Sequence, residues 1–293
     1  MSLPNALQVA LPTTKGGATY CDQRFGEERA LYGSRGASLL RCSFDGPEDG
    51  ESALKEASDV RVTESYCNLR YPFWHVERLL LENSELTPLC RAALWYTNDI
   101  TVRDCRLHGI KALRECARVS IRNTDICSAE FGWSVAGLEM TDSTAEGEYF
   151  LLRARDVYFN GVHFRGKYSF QYAENVLIEN SLLDTKDAFW HAKNVTVRNS
   201  TVRGEYLAWY SENLTLENCK IIGTQPLCYC KGLRLVNCEM EGTDLSFERS
   251  EVDAVVTSPI DSVKNPRAGT IVAPSVGEII MDDPLATGVV VQG

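Results

Sequence analysis

The 293-residue chain is short of positive charge, with 30 Lys and Arg against 40 Asp and Glu, a net of −10. Non-specific nucleic-acid binding draws its affinity from cations on phosphates, so this balance argues against it and no nucleic-acid partner is expected. No apolar run approaches bilayer-spanning length, and no membrane partner is expected. The N-terminus holds only a short apolar stretch around Ala6 to Leu11, with no basic residue before it and no small-residue cleavage site, which reads as the absence of a signal peptide. None of the 11 cysteines forms a C-x-x-C pair, which removes most zinc ribbons, iron-sulfur sites and thioredoxin-like chemistry. An odd count in a long chain is no disulfide framework, so buried free thiols and a cytoplasmic location are expected. Histidine is scarce, at 4. No His/Asp/Glu cluster has the spacing of a metal site, so neither metal nor cofactor is expected.

What the chain does have is a repeat. The first apolar residues of successive Val/Ile/Leu-rich stretches are Val60, Leu79, Ile100, Val119, Leu138, Val157, Val176, Val195, Leu214, Leu233 and Val252, spaced 19, 21, 19 and then 19 throughout. Weaker copies precede at Ala18 and Ala37, and one follows at Ile271. Two places on, the residue is again apolar, the period-2 alternation of a strand. Four places on comes Asn or Asp in most copies, as in Asn83, Asp104, Asn123, Asp142, Asn180, Asn199, Asn218 and Asn237, residue types that tolerate a left-handed bend. Five on is small and seven on is large and apolar. Glycine recurs at nine, as in Gly204 and Gly223, marking a second turn.

One such unit cannot bury its own apolar face, so equivalent strands must stack in parallel, coil upon coil. The fold class that follows is all-β: a single-stranded right-handed parallel β-helix of about 19 residues per coil, with 11 clear coils and weaker terminal ones. Its parts are an N-terminal extension, 1–17, the β-helix proper, 18–256, and a C-terminal segment, 257–293, that caps an end or covers a flank, all in one structural domain. Asn180, Asn199, Asn218 and Asn237 are expected to form a buried asparagine ladder, with Cys105, Cys219 and Cys238 in a small inward column beside it and Cys116 and Cys230 sharing another.

Within the coils lie words that repetition does not explain: Gly26-Glu27-Glu28-Arg29-Ala30-Leu31, Glu51-Ser52-Ala53-Leu54-Lys55-Glu56, Lys186-Asp187-Ala188-Phe189-Trp190, Gly204-Glu205-Tyr206-Leu207-Ala208-Trp209, Gly223-Thr224-Gln225-Pro226-Leu227-Cys228-Tyr229-Cys230 and Ser262-Val263-Lys264-Asn265-Pro266. In these the chain resembles, over nearly its whole length, the bacterial family catalogued as domain of unknown function 3737. The resemblance implies a pectate-lyase-like right-handed β-helix of single-domain size and no assigned activity.

Fourteen and fifteen residues past the register points, with the longer coil of Leu79 counted back from Ile100, come Trp74-His75, Trp95-Tyr96, Arg114-Glu115, Trp133-Ser134, Leu152-Arg153, Gln171-Tyr172, Trp190-His191, Trp209-Tyr210, Cys228-Tyr229 and Phe247-Glu248, and all 5 tryptophans fall in this pair of columns. The thirteenth residues, among them Phe73, Phe170, Phe189 and Leu227, are apolar and read as inward. The aromatic row then faces outward, as a surface that meets sugar rings or a protein partner does. Tyr172, Trp190, His191, Trp209 and Tyr210 form the candidate ligand platform, on which a pyranose could stack. His191 would carry a proton, with Asp187 or Glu205 as its carboxylate partner. Acids and lysines flanking the row read equally as a surface ion-pair ladder. Asn123-Thr124-Asp125 has the form of a polygalacturonase word, but no Gly-His-Gly or Arg-Ile-Lys accompanies it, so it is the repeat's own bend. Two functions are open: a saccharide-binding or carbohydrate-active protein using the aromatic row and its flanking acids, or a structural or assembly protein in which that row is an oligomer or terminal-segment interface. A homo-oligomer is compatible with either.

Overall fold

The computed structural model describes residues 7–46 and 51–293; of the predicted extension 1–17, residues 1–6 lie outside the described residues. The fold is the right-handed parallel β-helix, and the described residues contain strands, turns and bends but no helix. The chain makes two compact units, Met1–Val157 and Tyr158–Gly293.

In the first unit, the strands Ser58–Thr63, Glu77–Glu82, Asn98–Arg103, Ala117–Arg122 and Ala136–Thr141 pair in parallel, and Val60, Leu79, Ile100, Val119 and Leu138 stand opposite one another from rung to rung. The weak copies at its start are real rungs: Thr19–Cys21 pairs with Ser38–Leu40. In the second unit, Val176, Val195 and Leu214 are in register in the same way. The segment 257–293 also contributes rungs, Ile271 pairing with Ala254 and Val290 with Ile271. Residues at the register point, two on and seven on, such as Val195, Val197 and Val202, are buried. The period of two in the strand puts the first two on one inner wall, and the corner before the third puts it on the next wall of the same core, each worth about 1.5–3 kcal/mol when buried.

The Asn bend is left-handed: φ is 50° at Asn180, 48° at Asn199, 52° at Asn218 and 51° at Asn237. These side chains are exposed, not buried as the sequence predicts. Asn218 Nδ2 donates to Asn199 Oδ1 at 3.3 Å and Asn180 Nδ2 to Asn160 Oδ1 at 2.9 Å, both in solvent. The left-handed residue forms the corner and throws its side chain outward, so the following residue is the one that turns in. The buried ladder therefore runs through the small column: Ser181 N–H donates to Ser200 Oγ at 3.0 Å, and Ser200 Oγ donates to the Arg198 carbonyl at 2.6 Å. Thiols take the same place, Cys238 Sγ donating to the Leu216 carbonyl at 3.3 Å.

Beyond the second turn the backbone adopts a conformation the sequence reading missed. Asp187, Phe189 and His191 are left-handed at φ 54°, 59° and 54°, and Tyr206, Ala208 and Tyr210 repeat this one coil later. Alternating left-handed residues aim their amides up and down the stack. Asp187 N–H reaches the Glu205 carbonyl at 3.0 Å, Phe189 N–H the Ser169 carbonyl at 2.9 Å and His191 N–H the Trp209 carbonyl at 3.0 Å. Each left-handed residue costs about 1–2 kcal/mol, offset by backbone groups that would otherwise be orphaned. Among the described residues, none of the non-glycine positions with positive φ is Val, Ile or Thr, the types for which that conformation is worst. At the turn before this segment, a Cβ on Gly223 would lie 2.3 Å from the Gly204 carbonyl oxygen, so only glycine lets the coils close up there.

Candidate functional site

The two aromatic columns of the second unit come from this left-handed segment. Alternation sends Phe170, Phe189 and Leu227 inward, where they are buried, leaving Trp190 and Trp209 half-buried and Tyr172, His191 and Tyr210 exposed. The rings lie flat on one another across the coils. Trp190 and Trp209 stack at 5.4 Å and 3° between planes, while Tyr172–His191, His191–Tyr210 and Tyr210–Tyr229 stack at 4.9, 5.0 and 4.8 Å. Tyr206 and Tyr229 meet Trp209 edge-on. Tyr229 extends the predicted platform; the signal for it was its place in the same column.

This geometry separates the columns. Each tryptophan indole N–H donates to a backbone carbonyl of the following coil, Trp190 to Tyr206 at 2.7 Å and Trp209 to Gln225 at 2.8 Å. In the first unit Trp74, Trp95 and Trp133 do the same toward Ala92, Lys111 and Tyr149. A buried-edge ring with a satisfied donor staples one coil to the next. The outer column presents edges to solvent instead: Tyr172 is 48% and Tyr210 44% exposed. Both faces of His191 are taken by tyrosines, so a pyranose has no free face there to stack on. No protein group among the described residues hydrogen-bonds the His191 ring nitrogens.

The predicted carboxylates do not join that imidazole. Asp187 is buried at 6% exposure. Loss of water raises its pKa above the ordinary carboxylate value, with Glu205 adding to the rise and Lys186 opposing it. Glu205 instead pairs with Lys186, Nζ to Oε2 at 2.7 Å, and the same ammonium lies 5.1 Å over the Tyr206 ring. No ion pair or hydrogen bond links His191 to either acid among the described residues, so the arrangement has ring tips in solvent and no preformed acid–base pair.

Two surfaces elsewhere bear on the alternatives. A groove of about 400 Å³ runs along the bend column, lined by Asn199, Asn218, Asn237, Thr201, Lys220 and Glu239, away from the aromatic rows. In the first unit the N-terminal segment lies on a charged column: Ala10 N–H donates to Asp99 Oδ1 at 3.1 Å and Thr13 N–H to Asp59 Oδ1 at 3.0 Å. Arg118 and Arg78 grip the same two carboxylates through paired bonds of 2.7–2.8 Å. Among the described residues, no group of three or more His, Cys, Asp or Glu could hold a metal ion, and no helix is long and apolar enough to cross a membrane.

Coil, columns and stapled rings define a right-handed parallel β-helix protein. The chain belongs to the family described as protein of unknown function (DUF3737), whose pattern matches residues 18–291. No curated protein matches it in sequence. Among solved structures it is similar to the A-module of the Azotobacter vinelandii mannuronan C-5 epimerase AlgE4, with 9% identity over 94% of this chain and 90% of that one and a TM-score of 0.32. It is also similar to the catalytic domain of a GH87 α-1,3-glucanase in complex with nigerose, at 10% identity, 94% and 63% coverage and TM-score 0.35. A third is PfbA, a surface adhesin of Streptococcus pneumoniae, at 11% identity, 92% and 73% coverage and TM-score 0.35. At such identities the likeness is one of fold alone.

Proposed function

We propose that the protein binds a hydroxyl-rich ligand, a saccharide, along the ring edges of Tyr172, His191, Tyr210 and Tyr229, with Trp190 and Trp209 as the braced layer beneath. The observation that carries this reading is His191. Its imidazole is held in plane between two tyrosines, exposed, and with no hydrogen-bond partner from the protein among the described residues. Such a group is preorganised to exchange hydrogen bonds with hydroxyls, about 0.5–1.5 kcal/mol apiece, without the entropy cost of ordering a free side chain. Contact is made at ring tips and C–H edges, not at ring faces. Catalysis is not part of this reading, because Asp187 is buried away from His191's ring nitrogens and Glu205 is paired with Lys186. The unpaired cysteines support a reducing, cytoplasmic setting.

The test is calorimetry and thermal unfolding with neutral and uronate oligosaccharides. A ligand at 100 times its Kd raises stability by about 2.7 kcal/mol. His191→Ala and Tyr210→Ala should weaken binding at least tenfold while leaving the unfolding midpoint near that of the wild type, whereas Trp209→Ala should lower the midpoint. If no saccharide shifts the wild type and every aromatic substitution acts on stability alone, the row serves only cohesion or assembly.

A further inference from the structure

The aromatic motif occurs twice, and its second copy sits in the first unit. Trp74-His75 and Trp95-Tyr96 lie on adjacent rungs, as Trp190-His191 and Trp209-Tyr210 do. The geometry is the same. Trp74 and Trp95 stack at 5.2 Å and 6°, and His75 and Tyr96 at 4.9 Å and 17°. His75 and Tyr96 are exposed and left-handed, at φ 56° and 57°. The His75 ring nitrogens, like those of His191, have no hydrogen-bond partner among the described residues.

The two copies differ in what brackets them. In the second unit the imidazole has a tyrosine on either side. In the first, the rung before His75 presents Glu56 and the rung after Tyr96 presents Glu115, both exposed and both left-handed, at φ 61° and 50°. Backbone bonds thread the four into one column: Glu56 N–H to the Trp74 carbonyl at 2.9 Å, His75 to Trp95 at 3.0 Å, Tyr96 to Arg114 at 3.0 Å and Glu115 to Trp133 at 2.8 Å. Neither carboxylate has an ion-pair partner among the described residues. The nearby cations are turned to the inner column. Arg114 is sandwiched between Trp95 and Trp133 at 4.5 and 4.4 Å and bonds Glu130, and Lys55 lies 5.7 Å over Trp74.

We propose that the exposed column Glu56–His75–Tyr96–Glu115 is a second binding site, for an oligosaccharide bearing primary ammonium groups. Four rungs span roughly 14 Å at the inter-strand spacing, the reach of a short oligomer. Its two ends offer carboxylates to ammonium groups and its middle offers an imidazole and a phenol to hydroxyls. Charge then separates the sites: neutral ligand goes to the Tyr172–Tyr229 column, ammonium-bearing ligand to this one, and added salt weakens only the second. The proposal rests on the ring-tip reading given above.

The experiment titrates the full-length protein with a short glucosamine oligomer and with its N-acetylated form, following the imidazole C–H resonances of the 4 histidines, assigned by single substitutions. The glucosamine oligomer should shift His75, and the double variant Glu56→Gln with Glu115→Gln should weaken that response at least tenfold without moving the unfolding midpoint. The N-acetylated oligomer should shift His191 and not His75. A His75 response that persists in the double variant would overturn the carboxylate recognition. Silence at His75 with a normal response at His191 removes the second site and leaves the function reading intact. Silence at both removes both.

Discussion

At the scale of single residues, one position can do several jobs because the coil fixes its direction. Asp187 is left-handed, donates its backbone N–H to the next coil and is desolvated, and its raised pKa means that its ionised form is disfavoured in the folded state. A raised carboxyl contributes stability below its unfolded value and loses it as pH rises through the folded value. At neutral pH the charge is therefore a cost, and Asp187→Asn, which keeps the left-handed preference, should raise the unfolding midpoint at pH 7 and leave it unchanged near pH 3.5. A lower midpoint at pH 7 would mean that the carboxylate has a favourable partner. The thiols offer a second check. Burial pushes Cys105 and Cys230 up to about 11 and Cys116 to about 12, and the hydrogen bond to Cys238, with burial behind it, raises Cys219. Only Cys21 and Cys127 are exposed. A thiol reagent should label those two in the native protein and the rest only on unfolding; fast native labelling of Cys219 or Cys238 would misplace the small column.

At the scale of elements, the N-terminal segment is held by carboxylates that are themselves held by arginines. The Arg78 guanidinium keeps Asp59 down at about 2, with the Thr13 amide adding to the effect, and Arg118 likewise depresses Asp99. A depressed carboxyl contributes stability above its unfolded value of about 3.9 and loses it as pH falls toward the folded value. The first unit should therefore be destabilised between about pH 4 and pH 2, by of order 1–2 kcal/mol from Asp59 after solvent screening. Asp99→Asn should expose the segment around Ala10 to proteolysis at neutral pH. Resistance equal to the wild type would show that the segment is held by something else. The sequence offered the aromatic row as a seat for a terminal segment and not this column, because Asp59, Arg78, Asp99 and Arg118 each precede a register point and look like ordinary surface charge until the coils stack.

At the scale of the whole molecule, stability is a sum of rungs and their interfaces, so a whole rung is the unit that can be removed. Deleting residues 193–211, one nineteen-residue coil, keeps every column in register and should leave a folded β protein of lower unfolding midpoint. Deleting 193–210 shifts each later side chain by one position and should abolish folding. Equal outcomes by circular dichroism would contradict the column model. The nineteen-residue period, the inward apolar positions, the Asn corner, the family and the aromatic columns were all legible in the chain, because each depends on spacing, and stacking in register turns spacing directly into place. Tertiary structure alone decided what each column does. The sequence could not show that the Asn amides point outward and the next hydroxyl inward, that the tryptophan donors are spent on the following coil, or that stacked faces leave only ring edges for a ligand. Those outcomes follow from left-handed backbone torsions and from contacts between residues sixteen to nineteen apart, and both come into being only when one coil lies on another.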